Sequence, residues 1–391
     1  MNKMKICVVT SSRADYGLLY YLLKEIELDN DMHLQLIVTG THLSNEFGLT
    51  YKEIEKSFKI DKKLEIQLIS DTALGISKSM GFAQISFSEV YEELRPELLI
   101  VLGDRYEIFS AATAAMVSRI PIAHISGGET TEGVIDEAIR HSLTKMSHLH
   151  FVSTEEYKNR VIQLGENPNT VFNVGALGID NIKKLNLLER KKLEKLINFK
   201  FNQRNILVTF HPVTLEKSTS KQQFQELLNS IDKLKDTSII FTKSNSDIDG
   251  KVINRMIDEY VLINDNTIAF DSMGQINYLS ALKVVDAVVG NSSSGLTEAP
   301  SFGIGTINIG DRQKGRINLD SVINCNPLEK SIDIAIKEMY SVKFQRILKS
   351  VKNPFGNGNA SKKIQNIIKN YDFENILKKS FYNLNQKNVN K

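Results

Sequence analysis

The chain has no tryptophan, only two cysteines and seven prolines, and no apolar run near the roughly 18 residues that a membrane-crossing helix needs. Cys7 and Cys325 lie far apart in sequence, and two cysteines so placed imply neither a disulfide framework nor a cysteine metal site. Cys7 falls inside the first apolar strand, where a buried thiol is the default. Neither charge sign predominates: 49 Lys and Arg face 46 Asp and Glu, a formal charge of +3 spread along the chain. Nothing there argues for a nucleic-acid surface. Lysines precede Ile6–Val9 at the start, but that stretch is too brief for a signal peptide and turns polar at Thr10. The expectation is a soluble, cytoplasmic protein with no nucleic-acid or membrane partner.

What is present is enough apolar sequence, 41% of 391 residues, to bury two domains of about 150 to 200 residues each. Runs rich in Val and Ile alternate with helical patterns, the signature of parallel α/β architecture. In the first half strands are expected at Lys5–Val9, His33–Val38, Leu98–Leu102, Pro121–Ile125, His148–Val152 and Val171–Val174, with helices such as Leu18–Leu28 and Ile135–Lys145 between them. After a charged helix, Ile179–Leu196, a second set follows at Asn205–Thr209, Ser238–Thr242, Thr267–Phe270, Val284–Val289 and Thr306–Ile309. Two doubly wound domains result, 1–176 and 177–359. A closing segment, 360–391, holds a helix expected to pack back across them.

In open α/β sheets ligands bind beyond the carboxyl ends of the strands, so residues that follow strands are the candidates. Arg13 follows the first strand in a polar turn and suits phosphate; a local surface pair with Asp15 is the bland alternative. Asp104 and Arg105 stand together after Leu98–Leu102, as catalytic pairs do, although Asp104 also reads as a helix N-cap. Glu129 sits in the glycine-bearing loop after Pro121–Ile125. The next helix carries Asp136 with Arg140 and Glu137 with His141, each pair four apart on one face. His211 ends the first strand of the second half, just before a proline. Asn245 lies in a polar stretch after the next strand. Asn291 to Ser294 open a polar turn onto a helix whose free N–H groups and hydroxyls suit an anion; Ser292 and Ser293 lie at its start, and Glu298 is placed one to two turns in, where it suits a diol. Arg312, Gln313 and Arg316 follow the last strand.

Together SRADY at 12–16, GDRYE at 103–107, HISGGE at 124–129, DEAIRHSLTKMSHLH at 136–150, FHPVT at 210–214 and NSSSGLTEAPSFG…INIGDRQKGR at 291–316 resemble the hydrolysing UDP-N-acetylglucosamine 2-epimerases. The resemblance spans about 5–316. It implies a GT-B fold, two Rossmann-like domains with the active site in the cleft between them, no cofactor, no metal, a UDP-sugar substrate and a homodimer or homotetramer. Carried over by position, Arg13, Arg105, His211, Asn245, Ser292, Ser293, Glu298 and Arg312 match nucleotide-binding residues, and Asp104 and Asp136 match carboxylates of the chemistry. Ser126 departs from a glutamate that many members place there; Glu129 is the nearest residue to share its task.

Inverting C2 of such a sugar needs loss of a proton that no carbonyl acidifies. Breaking the C1–O bond first makes that proton labile and yields a 2-acetamidoglycal, with Arg13, Arg312, His211 and the serines holding the departing diphosphate. Asp104 and Asp136 then serve as acid and base, with Glu129 assisting. The resemblance implies release of UDP and N-acetylmannosamine from UDP-GlcNAc for sialic acid; the alternative is the same reaction on a 2,4-diacetamido-2,4,6-trideoxy sugar nucleotide for legionaminic acid, and the sequence does not separate the two. A GT-B glycosyltransferase, a non-hydrolysing epimerase and a silent nucleotide-sugar sensor are the rivals.

Overall fold

The computed structural model describes residues 3–66, 72–132, 134–213, 219–244 and 249–384. They form two compact units. The first holds Asp136–Asn181 and Phe355 onward together with the chain up to Glu129; the second holds Ile182–Pro354 and the short segment Thr130–Ile135.

The first unit is a seven-stranded sheet of β1 (Met4–Thr10), β2 (Met32–Thr39), β3 (Lys62–Leu64), β4 (Leu98–Leu102), β5 (Ile122–Ile125), β6 (Leu149–Val152) and β7 (Val171–Asn173), in the order β3-β2-β1-β4-β5-β6-β7. Every pairing is parallel. Helices cover both faces, which is why the strands are apolar on both sides. Ile6 and Val8 pack with Leu19, Leu22 and Leu23 on one face, while Cys7 and Val9 pack with Phe87, Tyr91 and Ala111 on the other. Burial accordingly pushes the Cys7 thiol pKa well up.

The closing helix Ala360–Asn370 belongs to this unit and packs on the helix Arg13–Leu28. Ile364 and Ile368 join the same core as Leu19 and Leu22. The Asp180 carboxylate accepts the N–H groups of Ala360 and Ser361, both at 2.8 Å, and so anchors the helix start. The charged helix expected as one piece over 179–196 is two, Leu177–Lys184 and Arg190–Ile197.

The second unit repeats the plan with β8 (Arg204–Thr209), β9 (Thr237–Thr242), β10 (Thr267–Phe270), β11 (Ala287–Gly290), β12 (Gly305–Ile309) and β13 (Val322–Cys325), in the order β10-β9-β8-β11-β12-β13, again parallel. Ile206 and Val208 meet Phe224, Leu227 and Ile231 on one face; Leu207 meets Leu193 and Leu279 on the other. In both sheets the chain order reverses beside the first strand, between β1 and β4 and between β8 and β11. Such switch points open a crevice at the carboxyl ends of the strands. No helix among the described residues is long and apolar enough to cross a membrane.

Candidate active site

In the first unit β1 ends in a loop organised by Asp15. Its carboxylate accepts the backbone N–H groups of Ser11 and Ser12, both at 2.8 Å, and the Thr10 hydroxyl at 2.9 Å. Asp15 is 8% exposed and turned into the loop, so the surface reading of this residue is replaced: it shapes the turn from which Arg13 begins the helix Arg13–Leu28. Thr10 spends its proton on Asp15, so the buried His42 donates from Nε2 to Thr10 Oγ1 at 3.0 Å and accepts from Thr50 through Nδ1 at 2.7 Å. Burial lowers the His42 pKa, consistent with this neutral tautomer.

Beyond β4, Asp104 is not the helix cap. Arg105 holds the N-cap position of Tyr106–Val117, and it pairs with the buried Glu107 at 3.1 Å. Asp104 is instead ion-paired to Arg140 from the helix Asp136–Met146. The same guanidinium donates from Nη1 to Glu129 at 3.2 Å. Arg140 is only 2% exposed, so one buried cation gathers Asp104 and Glu129. Asp136 opens Arg140's helix one turn earlier, half-buried. The expected partner for His141 is found: its Nε2 lies 3.0 Å from Glu137.

The loop that brings Glu129 to Arg140 leaves β5 through Ser126, which takes a left-handed backbone (φ +67). At Gly128 a Cβ would lie 2.3 Å from the Tyr157 carbonyl, so only glycine fits. Arg160 fixes the same residue by donating to its carbonyl at 2.6 Å. Beneath, the fully buried His124 donates from Nε2 to the Gly103 carbonyl at 2.8 Å, tying the β5 end to the residue before Asp104. Burial pulls its pKa down to about 4, so it stays neutral.

In the second unit the switch-point strands bring His211 and Asn291 together. Gly290 makes this possible, because a Cβ there would lie 2.0 Å from the Thr209 carbonyl. The Asn291 amide grips the His211 backbone twice, accepting its N–H at 2.7 Å and donating to its C=O at 2.8 Å. His211 Nδ1 meets Ser244 Oγ at 3.1 Å. The Asn291 carbonyl in turn accepts from Arg312 at 3.2 Å and Gln313 at 2.8 Å. His211 and Arg312 are thus joined through one buried residue that the sequence reading left within a motif. Asn245 lies outside the described residues.

The helix after Asn291 is shorter than expected, Ser293–Thr297, with Ser292 as N-cap and Glu298 as C-cap. One turn of backbone supplies little dipole, so any anion there depends on the hydroxyls and N–H groups. Glu298 accepts from Ser294, whose oxygen accepts from Tyr278 at 2.6 Å. Burial raises the Glu298 pKa, the Ser294 bond opposing it in part. Tyr278 escaped the sequence reading, having no motif around it.

The family described as UDP-N-acetylglucosamine 2-epimerase matches residues 24–369. The chain is 46% identical, over 98% of its length and 100% of the other, to the GDP/UDP-N,N'-diacetylbacillosamine 2-epimerase (hydrolyzing) of Campylobacter jejuni. It is 41% identical to the polysialic acid biosynthesis protein P7 of Escherichia coli, with 97% of each covered. Among solved structures it is similar to the UDP-GlcNAc 2-epimerase of Neisseria meningitidis bound to UDP-GlcNAc, with a TM-score of 0.77 at 19% identity over 94% of this chain and 100% of that one. The fold is therefore the GT-B type, each unit a Rossmann-like parallel sheet.

Proposed function

This chain belongs to the UDP-N-acetylglucosamine 2-epimerase family, in its hydrolysing branch, and from that premise we propose that it converts a UDP-linked 2-acetamido sugar and water into UDP and the free C2 epimer. The donor is a 2,4-diacetamido-2,4,6-trideoxy sugar nucleotide; the Campylobacter relative, alike over nearly its whole length, supports this choice. A second reading, UDP-GlcNAc giving N-acetylmannosamine, is favoured by the family's description and by the E. coli relative named for polysialic acid biosynthesis. Either product is a precursor of nonulosonic acids, legionaminic in the first case and sialic in the second.

The observation that carries the chemistry is the single buried guanidinium of Arg140 shared by Asp104 and Glu129. The C1–O bond breaks first and its electron pair leaves with the diphosphate, which Arg13, His211, Arg312, Ser292 and Ser293 receive. Positive charge at C1 labilises the C2 proton. A carboxylate takes it, and the C–H electrons form the C1–C2 double bond of a 2-acetamidoglycal. A second carboxyl group then protonates C2 from the opposite face, the double-bond electrons forming the new C–H bond; water adds to the cation left at C1, and the proton it sheds returns to that carboxylate. Asp104 and Asp136 are the exchanging pair, with Glu129 assisting. Arg105 and Asn245 complete the nucleotide contacts, and Glu298 accepts from the ribose diol.

The test uses no acceptor. Release of nucleoside diphosphate is followed with the UDP-2,4-diacetamido donor, its GDP counterpart and UDP-GlcNAc. The highest kcat/KM is expected on the first. Preference for UDP-GlcNAc supports the second reading, and release only after an acceptor sugar is added replaces both with a glycosyltransferase.

A further inference from the structure

We propose that Asn291 and Gln313 form a positioning unit that fixes His211 and Arg312 in one arrangement around the diphosphate of the nucleotide sugar, a role that rests on the proposed function. Asn291 is fully buried at the end of β11. Its side chain spends both polar groups on the backbone of His211, setting where β8 leaves the sheet. Its carbonyl points the other way and accepts from Arg312 and Gln313. One residue therefore sets the imidazole on one strand and the guanidinium on another loop.

Gln313 shows that this junction is not there for stability. It is 3% exposed; its Nε2 donates to the Asn291 carbonyl at 2.8 Å, while its Oε1 has no hydrogen-bond partner among the described residues. A buried acceptor without a donor is destabilising, and an apolar side chain of the same length would avoid that cost. What the amide supplies and an apolar chain cannot is the N–H that holds the Asn291 carbonyl in its orientation. That carbonyl is one of the groups that hold Arg312. Groups that meet developing charge must be held before the charge appears, so the junction matters more in the transition state than in the resting complex.

The test is Gln313→Met in the full chain, read by melting temperature, by UDP affinity in calorimetry and by steady-state kinetics. Expected is a melting temperature equal to or above that of the unmodified protein, UDP affinity weaker by about tenfold, and kcat lowered by a larger factor than KM is raised. Gln313→Leu, which is apolar and likewise lacks the N–H donor, is expected to give the same loss and serves if the first variant does not fold. UDP affinity within twofold of the unmodified protein, or a loss matched by a fall in melting temperature, overturns the proposal. An unmodified protein that binds no UDP overturns the proposed function and this inference with it; intact binding in both variants removes the inference alone.

Discussion

Arg140 reaches Glu129 at 3.2 Å from a position 2% exposed, with the other arm of its guanidinium on Asp104. A planar fork can hold two carboxylates at once; an ammonium cannot do so in the same geometry. Arg140→Lys is therefore expected to fold yet lose about 100-fold in kcat, the scale of a misplacement near 1 Å. Arg140→Met leaves the two acids without their shared cation and should lose on the order of 3–5 kcal/mol in urea denaturation. Activity in Arg140→Lys close to that of the unmodified protein contradicts this account.

Removing single carboxylates separates binding from chemistry. Asp104→Asn and Asp136→Asn are expected to abolish turnover while UDP affinity, measured by calorimetry, stays within a few-fold. A parallel loss of affinity and turnover would place these residues in nucleotide binding.

Asp15 accepts the buried N–H groups of Ser11 and Ser12, which lose that acceptor if it is truncated. Asp15→Ala should cost roughly 2–4 kcal/mol of stability and raise KM for the donor, because Arg13 starts from the turn that Asp15 shapes. Unchanged stability would show that the loop does not need its carboxylate.

Stability should fall as the medium becomes mildly acidic. Burial lowers the pKa of His124 and of His148 to about 4, below the ordinary value near 6.5. The unfolded chain therefore takes up protons before the folded one does, so this stability is complete above about pH 6.5 and is lost as pH drops toward 4. For His124 alone the loss at pH 5 is about 2 kcal/mol. Glu166 behaves differently: burial alone would raise its pKa, but His150, Lys145 and Lys379 outweigh it and bring it to about 2. Its contribution fades only below about pH 4.5. A urea midpoint that is flat between pH 7.5 and 5 would contradict the histidine assignment.

Much of this fold was legible in the strand pattern, because parallel strands buried on both faces leave continuous Val and Ile runs such as Leu98–Leu102. β3 was not, being three residues with two lysines. The first turns of the long helix Ala73–Leu94 carry no clear helical pattern, since serines and glycines interrupt them. At the site, strand-end position singled out Asp104 and Glu129, which meet at Arg140, and His211, which follows the switch-point strand β8. Spacing placed Arg140 on one helical face with Asp136; its ion pairs to Asp104 and Glu129 join residues far apart in sequence, which no local period shows. Asn291 and His42 follow strands just as His211 does, so the same rule was capable of finding them. Tyr278 had no such signal.

The central claim is that C1–O cleavage precedes exchange of the C2 hydrogen with a protein carboxyl group. The most direct test is to run the reaction in D2O with the 2,4-diacetamido donor and with UDP-GlcNAc, and to follow products by NMR. The account predicts free UDP and a manno-configured sugar carrying one deuterium at C2, formed without any acceptor. Product that retains its original hydrogen at C2 would contradict it.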